Sequence, residues 1–349
     1  MKAENNLLHN QFYVTRYMGA KYKLLDFIMP SIFSHLQDGS TLIDLMAGTH
    51  AIGYAAKSRF RIIANDVQRY SYTFGTALIE NQEISTVSHR VLDDFREYQS
   101  KFGNSGWFTN TYSGTYFSRQ QCLEIEAIRG TIDELDGEIL KSIYLTALAN
   151  AMSLCQSSSG HFAQYMSSDN PRVAKLQTMS VFTAFIERCR TIQIELSDFK
   201  NILFNLNIDD FFEVEELATM APAGSFAYLD PPYSEAQYSR YYHLLETVFL
   251  NDRPEVAHKG LYRPDRFQSP FCSPKKVTQA FENVAYSAAK KKWKLGISYS
   301  LSGLIEIDQL VAICKGYFDH VDIHSQQYAH SMQGRGVAGN TTEVLLICR

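Results

Sequence analysis

TLIDLMAGTHAIGYAAKSRFRIIAND, the stretch at residues 41–66, decides the fold class of this chain. It contains an apolar run at 41–45, a turn of small residues at 47–49, a helix-forming segment and a second apolar run at 61–64. A strand, a helix and a strand in this order predict parallel strands joined by a crossover connection. Such connections are right-handed, and ligands bind at the carboxyl ends of the strands. The stretch therefore predicts an α/β protein with a binding site at one edge of its sheet.

Further strands are predicted where the chain is apolar in its second half, at 201–204, 226–229, 295–299, 321–324 and 343–347. Between 91 and 199 the alternation of strands and helices lapses. Helices are expected there at 129–151 and 173–190, with loops rich in Gly, Ser, Thr, Asn and aromatic residues. We therefore predict two regions. Residues 1–90 and 200–349 form a Rossmann-like sheet domain, and 91–199 form a mainly helical insert.

Composition limits the classes of protein to which this chain can belong. With 349 residues it is long enough for one large domain and a smaller inserted one. A formal net charge of −4 argues against a protein that coats nucleic acid indiscriminately. The N-terminus is polar with no apolar segment behind it, and no apolar run reaches about 18 residues, so we expect a cytoplasmic protein without membrane association.

The cysteines are scattered along the chain. None of the six belongs to a Cys-x-x-Cys pair, which argues against a zinc site and against a disulfide framework. We expect buried, reduced thiols and no metal.

The turn after the first strand is suited to a nucleotide that has no phosphate. Small residues at 47–49 let a ligand approach the backbone closely. A pyrophosphate would require Gly-x-Gly-x-x-Gly, and His50 stands where the second glycine belongs, so a dehydrogenase is a weak alternative. Asp66 follows Asp44 by 22 residues, the position from which an acid binds ribose hydroxyls. Either acid alone would more often be a cap or a turn, but together they favour a ligand that contains adenosine.

S-adenosylmethionine fits this pattern better than NAD. It contains a ribose and an adenine but no phosphate. Its ammonium and sulfonium groups also favour acidic neighbours such as Asp44 and Asp230.

The tetrapeptide Asp230-Pro231-Pro232-Tyr233 ends the apolar run at 226–229. Its two prolines make a stiff loop, because each fixes its own φ and restricts the residue before it. Such a loop holds a carboxylate, a backbone carbonyl and an aromatic ring in fixed positions. These groups can bind a planar base with an exocyclic amine, since they offer two acceptors and a stacking surface. The alternative is a simple turn, because Asp and Pro are favoured in turns.

Aromatic and basic residues directly follow this loop, in QYSRYYH at 237–243. Tyr238, Arg240, Tyr241 and His243 are candidates for contacts with nucleic acid. The alternative is a helix that packs its tyrosines into a core. From Arg253 to Lys294, ten basic residues outnumber three acidic ones, which suits a phosphate-binding face. Arg263 and Arg266 are our candidates there, whereas the lysines at 290–294 are also explained as the end of a helix.

These segments resemble, in order, the motifs of the alpha group of adenine-N6 DNA methyltransferases, which is related to Dam-type and type IIS modification enzymes. RYMGAKYKLL at 16–25 resembles the N-terminal motif of that family, and DLMAGT at 44–49 resembles its cofactor motif. AND at 64–66 is similar to its ribose-binding acid, and DF at 210–211 to the pair that holds the cofactor adenine. DPPY at 230–233 is similar to its catalytic motif. Met46 stands where the family has an aromatic residue.

The resemblance implies S-adenosylmethionine as the cofactor and double-stranded DNA as the substrate. It implies that 1–90 and 200–349 form the catalytic domain and that the insert at 91–199 recognises the target sequence. A restriction or defence-system partner is a further implication. The implied cofactor-binding residues are Tyr17, Lys21, Asp44, Met46, Ala47, Gly48, Thr49, Asp66, Asp210 and Phe211.

In the implied reaction, the Asp230 carboxylate and the Pro231 carbonyl accept hydrogen bonds from the adenine amine, and Tyr233 stacks on the flipped base. Alternatives stay open. The same chemistry on RNA or on a protein amine is the nearest, because the tetrapeptide specifies an sp² amine more than a polymer. Cytosine-N4 transfer is weaker, since by family resemblance it pairs Ser with Pro-Pro-Tyr. An inactive DNA-binding subunit would explain Met46 and His50 as marks of a lost cofactor site.

Overall fold

The computed structural model describes residues 21–88, 92–93, 95, 97, 106–329 and 340–349. They form two compact units. We call the first the sheet unit; it contains 21–75, 197–239 and the described residues from 267 to 349. The second, the helical unit, contains the described residues of 76–196 together with 240–266. The predicted domains, 1–90 with 200–349 and the insert at 91–199, stay predictions.

The described residues of the sheet unit form a seven-stranded sheet. Its strands are β1 Thr41–Asp44, β2 Arg61–Asn65, β3 Ile202–Phe204, β4 Phe226–Leu229, β5 Lys294–Ser300, β6 Val321–Ala329 and β7 Asn340–Cys348. Their spatial order is β3-β2-β1-β4-β5-β7-β6. Neighbours among β1 to β5 pair in parallel, whereas β7 is antiparallel to both β5 and β6. This confirms the predicted α/β class with a mostly parallel, Rossmann-like sheet.

The strand order changes direction at β1, which pairs with β2 on one side and with β4 on the other. Asp44 at the end of β1 lies opposite Ala64 of β2 and Tyr228 of β4. The residues that follow these three strands therefore meet at one edge of the sheet. In open α/β sheets, ligands bind at such a switch point.

The helices surround this sheet or build the helical unit. In chain order they are α1 Leu25–Phe33, α2 Ala51–Ala56, α3 Arg69–Gly75, α4 Trp107–Tyr112, α5 Arg119–Glu134, α6 Glu138–Cys155, α7 Pro171–Gln177, α8 Val181–Arg190, α9 Ile208–Phe212, α10 Leu217–Met220, α11 Tyr238–Tyr241, α12 His243–Leu250, α13 Val277–Lys290 and α14 Ile307–Lys315. A 3₁₀ turn at Lys21–Leu24 precedes α1.

The core of the sheet unit explains why its strands are apolar throughout. β1 and β4 are buried over their whole lengths, as is typical of parallel strands that are covered on both faces. Helix α13 presents Val277, Phe281 and Val284 to this core, at the spacing of one helix face.

The helices predicted in the insert have different boundaries in the structure. The helix expected at 129–151 is interrupted between α5 and α6, where Gly137 has a φ of 87°. The helix expected at 173–190 is also interrupted, because the Ser180 hydroxyl accepts a hydrogen bond from the Thr183 N–H and caps a new helix, α8. Apolar periodicity alone did not reveal these breaks.

All six cysteines are buried as free thiols, which confirms their predicted burial. Within the described part of the chain, no helix has both the length and the apolar character to cross a membrane.

Candidate active site

Three carboxylates lie at the switch-point edge of the sheet. Asp44 ends β1, and Asp66 and Asp230 directly follow β2 and β4. Burial, together with the negative charges of Asp230 and Asp66, raises the pKa of Asp44 to about 8, although a hydrogen bond from the Gly53 backbone lowers it. The electrostatic coupling of Asp44 to both other acids indicates that the three belong to one site.

Asp66 fixes the turn between β1 and α2. Its Oδ2 accepts a hydrogen bond from the Gly48 N–H at 2.8 Å, and its Oδ1 accepts one from the Gln68 N–H at 2.9 Å. The Ala47 N–H donates to the Asn65 carbonyl at 3.0 Å. Gly48 has a φ of 53°, a conformation that glycine adopts without strain. The turn is therefore held open by an acid that still has a partly exposed side chain.

His50, which stands where the family has a glycine, has an internal role. Its φ is 60°, its ring is buried, and its Nε2 lies 2.9 Å from the Ser71 carbonyl. Burial lowers its pKa to about 4, so the ring is neutral at pH 7. The ring fills the space beside Gly75, where a Cβ would lie 2.6 Å from the His50 Cε1. His50 therefore packs the turn against α3, and its side chain does not take part in the site as a charged group.

An apolar cleft opens next to Asp66. Its walls include Leu45, Met46, Val67, Asn207, Ile208, Phe267 and Phe271. Apolar walls with one carboxylate at the rim suit a flat heterocycle joined to a sugar. Met46, in place of an aromatic residue, keeps an apolar and polarisable surface in this wall.

Asp210 and Phe211 lie beside the cleft, not among the residues that line it. The Asp210 carboxylate accepts a hydrogen bond from the Asn207 Nδ2 at 2.6 Å and is exposed. Phe211 is fully buried, with its ring 5.4 Å from that of Phe204. Their predicted contact with a cofactor stays a prediction.

Sequence reasoning missed Asn207 and Ile208, which do line the cleft. Asn207 is the N-cap of α9, and its Oδ1 accepts from the Asp210 N–H at 3.0 Å, a pattern that the spacing could have revealed.

The tetrapeptide at 230–233 contacts charged partners from distant parts of the chain. Lys21 Nζ lies 2.8 Å from Asp230 Oδ1 and 3.5 Å from Glu343 Oε1. The Tyr233 hydroxyl lies 2.9 Å from Asp230 Oδ1 and 2.7 Å from Glu343 Oε1. Burial raises the pKa of Asp230, while the Lys21 charge and the hydrogen bonds from Lys21 and Tyr233 lower it. Lys21 lies against Asp230, and its predicted contact with a cofactor stays a prediction. The sequence had indicated Glu343 only as part of a buried strand.

The other predicted residues of this part are also placed. Pro231 and Pro232 are buried, and Tyr233 is half-buried with its ring 5.1 Å from that of Tyr299. Thr49 is buried in the turn before α2. Tyr17 lies outside the described residues.

The predicted nucleic-acid contacts of the helical unit differ in their exposure. Arg240 is exposed, and its Nε donates to the Tyr262 hydroxyl at 3.1 Å. Arg266 is half-buried, with its guanidinium 4.6 Å from the centre of the Tyr262 ring. Tyr241 stacks on His161 at 4.4 Å. Arg240 and Arg266 thus form a basic surface around the buried Tyr262 ring.

Arg263 and His243 have interior positions in the same unit. The Arg263 guanidinium is buried and forms ion pairs with Asp252 at 2.7 Å and Asp265 at 2.9 Å, so its charge is offset locally. The His243 ring is fully buried, and its Nε2 lies 2.9 Å from the Phe162 carbonyl. Burial lowers the His243 pKa to about 3. Tyr238, in the sheet unit, is half-buried. The predicted contacts of these residues with nucleic acid stay predictions.

Residues 17–313 match the sequence model of the family described as D12 class N6 adenine-specific DNA methyltransferases. The chain belongs to this family, and the resemblance inferred from its motifs is confirmed. It is 28% identical over 323 residues to the type II methyltransferase M.FokI of Planomicrobium okeanokoites, an alignment that covers 86% of this chain and 47% of that protein.

Two further relatives are similar to the chain. It is 28% identical to the modification methylase LlaI of Lactococcus lactis subsp. lactis, over 92% of this chain and 53% of that protein. It is 26% identical to the type II methyltransferase M.NlaIII of Neisseria lactamica, over 93% of this chain and 96% of that protein. The chain thus spans about half the length of the first two relatives. Among the described residues, no group of three or more His, Cys, Asp and Glu side chains could hold a metal ion.

Proposed function

We propose that this chain transfers a methyl group from S-adenosylmethionine to the N6 amine of adenine in double-stranded DNA. The observation that carries the proposal is the placement of Asp230 at the switch-point edge, electrostatically coupled through Asp44 to the acid beside the apolar cleft. A binding cleft and an amine-binding carboxylate are the two parts that such a transfer needs. Family membership supports the same chemistry.

The residues at this edge fit S-adenosylmethionine in charge and shape. When bound, this cofactor supplies an electrophilic methyl group. Asp66 would hold the ribose hydroxyls, because its carboxylate remains partly exposed at the cleft. Met46, Ile208 and Phe271 would hold the adenine ring in the apolar wall. Asp44 would offset the positive charge of the cofactor, which would lower its raised pKa.

Asp230 and Tyr233 would act on the target base. The Asp230 carboxylate and the Pro231 carbonyl would accept hydrogen bonds from the amine and keep its lone pair localised on the nitrogen. As the new N–C bond forms, the bond between the methyl group and the sulfonium would break, and the amine would lose one proton, for which the Asp230 carboxylate is the hydrogen-bonded acceptor. Positive charge develops on the nitrogen during attack, and a fixed carboxylate stabilises it. The target adenine has to leave the stack, at a cost of a few kcal/mol that stacking on Tyr233 offsets.

The surface around Tyr262 would bind the DNA backbone. Arg240 and Arg266 both approach this aromatic ring, and Arg240 is exposed. Guanidinium groups near phosphates release counterions, so this contact would weaken with salt. Tyr238 and Tyr241 would add stacking contacts to the displaced strand.

We extend the proposal to a cytoplasmic modification enzyme of a restriction-modification system. The names of two relatives, type II methyltransferase and modification methylase, support this context. In that setting the chain would act with a separate restriction endonuclease as its functional partner.

The test is transfer of labelled methyl from S-adenosylmethionine to duplex DNA, single-stranded DNA and total RNA, followed by nucleoside analysis. N6-methyladenine formed in duplex DNA is the expected product. Label in RNA but not in DNA would mean that the substrate is RNA and not DNA. Cofactor binding without label in any polymer would indicate a missing partner or an unusual substrate, whereas a chain that binds no cofactor would be better described as an inactive DNA-binding subunit.

A further inference from the structure

Glu343 is a buried acid in an otherwise apolar strand. It lies in β7 directly before the sequence VLLIC, and its side chain has no exposed surface. A buried carboxylate is costly unless it is paired and fully hydrogen-bonded. Its Oε1 meets this need through Tyr233 and Lys21, but among the residues that the structure describes its Oε2 has no hydrogen-bond partner. The fold therefore keeps an acceptor that is not in use in this structure.

Two hydrogen-bond donors of the site are shared between Glu343 and Asp230. The Lys21 ammonium is 2.8 Å from Asp230 and 3.5 Å from Glu343. The Tyr233 hydroxyl has one proton and lies within hydrogen-bond distance of both carboxylates. In this arrangement both donors occupy Oδ1 of Asp230, the side chain that has to accept a hydrogen bond from the target amine. Because the Glu343 carboxylate is also within reach, the Lys21 ammonium and the Tyr233 hydroxyl can shift from Asp230 to Glu343 while the buried Lys21 charge stays paired.

The surroundings of Glu343 make this exchange specific. The titratable groups that face it are Lys21 from the segment before α1, Asp230 and Tyr233 from the loop after β4, and Tyr228 from β4. Its neighbours across the sheet, Ser300 of β5 and Gln326 of β6, are uncharged. Lys21 is thus the cation that an ionised Glu343 faces among the described residues.

We propose that Glu343 is a positioning residue that takes over the Lys21 ammonium and the Tyr233 hydroxyl when Asp230 binds the target amine. This inference rests on the proposed function and deepens it, because it names how the catalytic carboxylate becomes available. Burial raises the pKa of Glu343, the Lys21 charge lowers it, and the Asp230 charge raises it. An acid that destabilises the fold when ionised and faces the catalytic loop is typical of a functional site.

The test is the Glu343→Gln variant of the full chain, with Glu306→Gln as the matched control on an exposed side chain of the same unit. We expect kcat to fall about tenfold or more, because Lys21 stays on Asp230, while the Kd values for cofactor and duplex DNA change less than about threefold. The acid limb of the kcat/KM profile should move to lower pH. Without the Glu343 carboxylate, the Lys21 ammonium pairs with Asp230 alone and favours the ionised form of Asp230. The melting temperature should not fall, because a buried charge is removed.

A kcat within about twofold of wild type together with an unmoved acid limb would overturn the inference. A loss of kcat with an unmoved acid limb would indicate a merely structural residue and also overturn it. If the glutamine variant does not fold, Glu343→Asp carries the test. It keeps the charge but withdraws it by one methylene, so kcat should fall about threefold or more at unchanged cofactor affinity, and an unchanged kcat contradicts us. A wild-type chain that methylates no adenine would contradict the proposed function itself.

Discussion

At the scale of single residues, Asp230 is the group on which the proposed chemistry depends most. Asp230→Asn keeps the size of the side chain but removes the charge that would stabilise the developing cation. We expect methyl transfer to fall by about 10²-fold to 10³-fold, as for the loss of other preorganised electrostatic groups. Cofactor affinity, measured by calorimetry, should change little, because Asp66 and the cleft walls are intact. Asp209→Asn, on an exposed side chain of α9, is the control. Near-normal transfer by Asp230→Asn would refute the assignment.

The side chains at positions 50 and 75 are complementary in size, because the large His50 ring lies against Gly75. The buried imidazole occupies the space that glycine leaves in α3, since a Cβ there would lie 2.6 Å from His50 Cε1. Gly75→Ala should therefore destabilise the protein by about 1–3 kcal/mol through overpacking. His50→Gly removes the obstacle, and glycine tolerates the φ of 60° at that position. In urea denaturation, Gly75→Ala should therefore cost much less in the His50→Gly background than in wild type, whereas additive losses would show that the two residues are not coupled.

At the scale of secondary-structure elements, caps decide where the helices of the helical unit begin. At the start of α5, Ser118 Oγ accepts from the Gln121 N–H, and Gln121 Oε1 accepts from the Ser118 N–H. This reciprocal pair satisfies two backbone donors that the first turn leaves free. Ser118→Ala should lower the free energy of unfolding by about 1 kcal/mol, while Ser118→Thr, which keeps the hydroxyl, should lower it less. Equal losses from both variants would mean that the hydroxyl is not the cause.

The predicted elements agree with the structure where one signal dominates. Continuous apolar runs located β1, β2 and β4 within about one residue, because buried parallel strands have few other sequences available. The strand predicted at 321–324 extends as β6 to Ala329, since its pairing with β7, and not its own hydrophobicity, determines its length. The interrupted helices of the insert depend on Gly137 and Ser180, whose effects a periodic pattern does not register.

At the scale of the whole molecule, the cluster of buried acids links stability to pH. Asp44 has a folded-state pKa of about 8, against about 3.9 in an unfolded chain. Below a pH of about 3.9, both the folded and the unfolded state hold the Asp44 proton, so the stabilisation that the protonated Asp44 contributes is fully present. As pH rises toward 8, only the unfolded state releases the proton, so the free energy of unfolding decreases by up to about 1.4 kcal/mol per pH unit.

Asp44→Asn should make this decline shallower and raise stability near pH 8. Urea denaturation at several values between about pH 5 and pH 8 measures the effect. Asp66, Asp230 and Glu343 also have raised pKa values, so part of the decline should remain. Parallel stability curves for wild type and Asp44→Asn would contradict the predicted coupling. Asp209→Asn is again the matched control.

The sequence by itself determined the α/β class, the order of the first strands and the loop that holds Asp230. These depend on local properties, since apolar runs form strands and two prolines stop one. The position of Asp66 also followed, because parallel strands joined by a crossover end at the same edge of the sheet.

Only the tertiary structure decided which charges face each other. Glu343 meets Lys21 and Tyr233 because β7 inserts antiparallel between β5 and β6, and no local pattern specifies that pairing. Likewise, Arg263 and Arg240 look alike in sequence, but Asp252 and Asp265 offset the charge of one while the other is exposed. Electrostatic interactions act through space between residues that are distant in sequence, so they are defined only once the chain has folded.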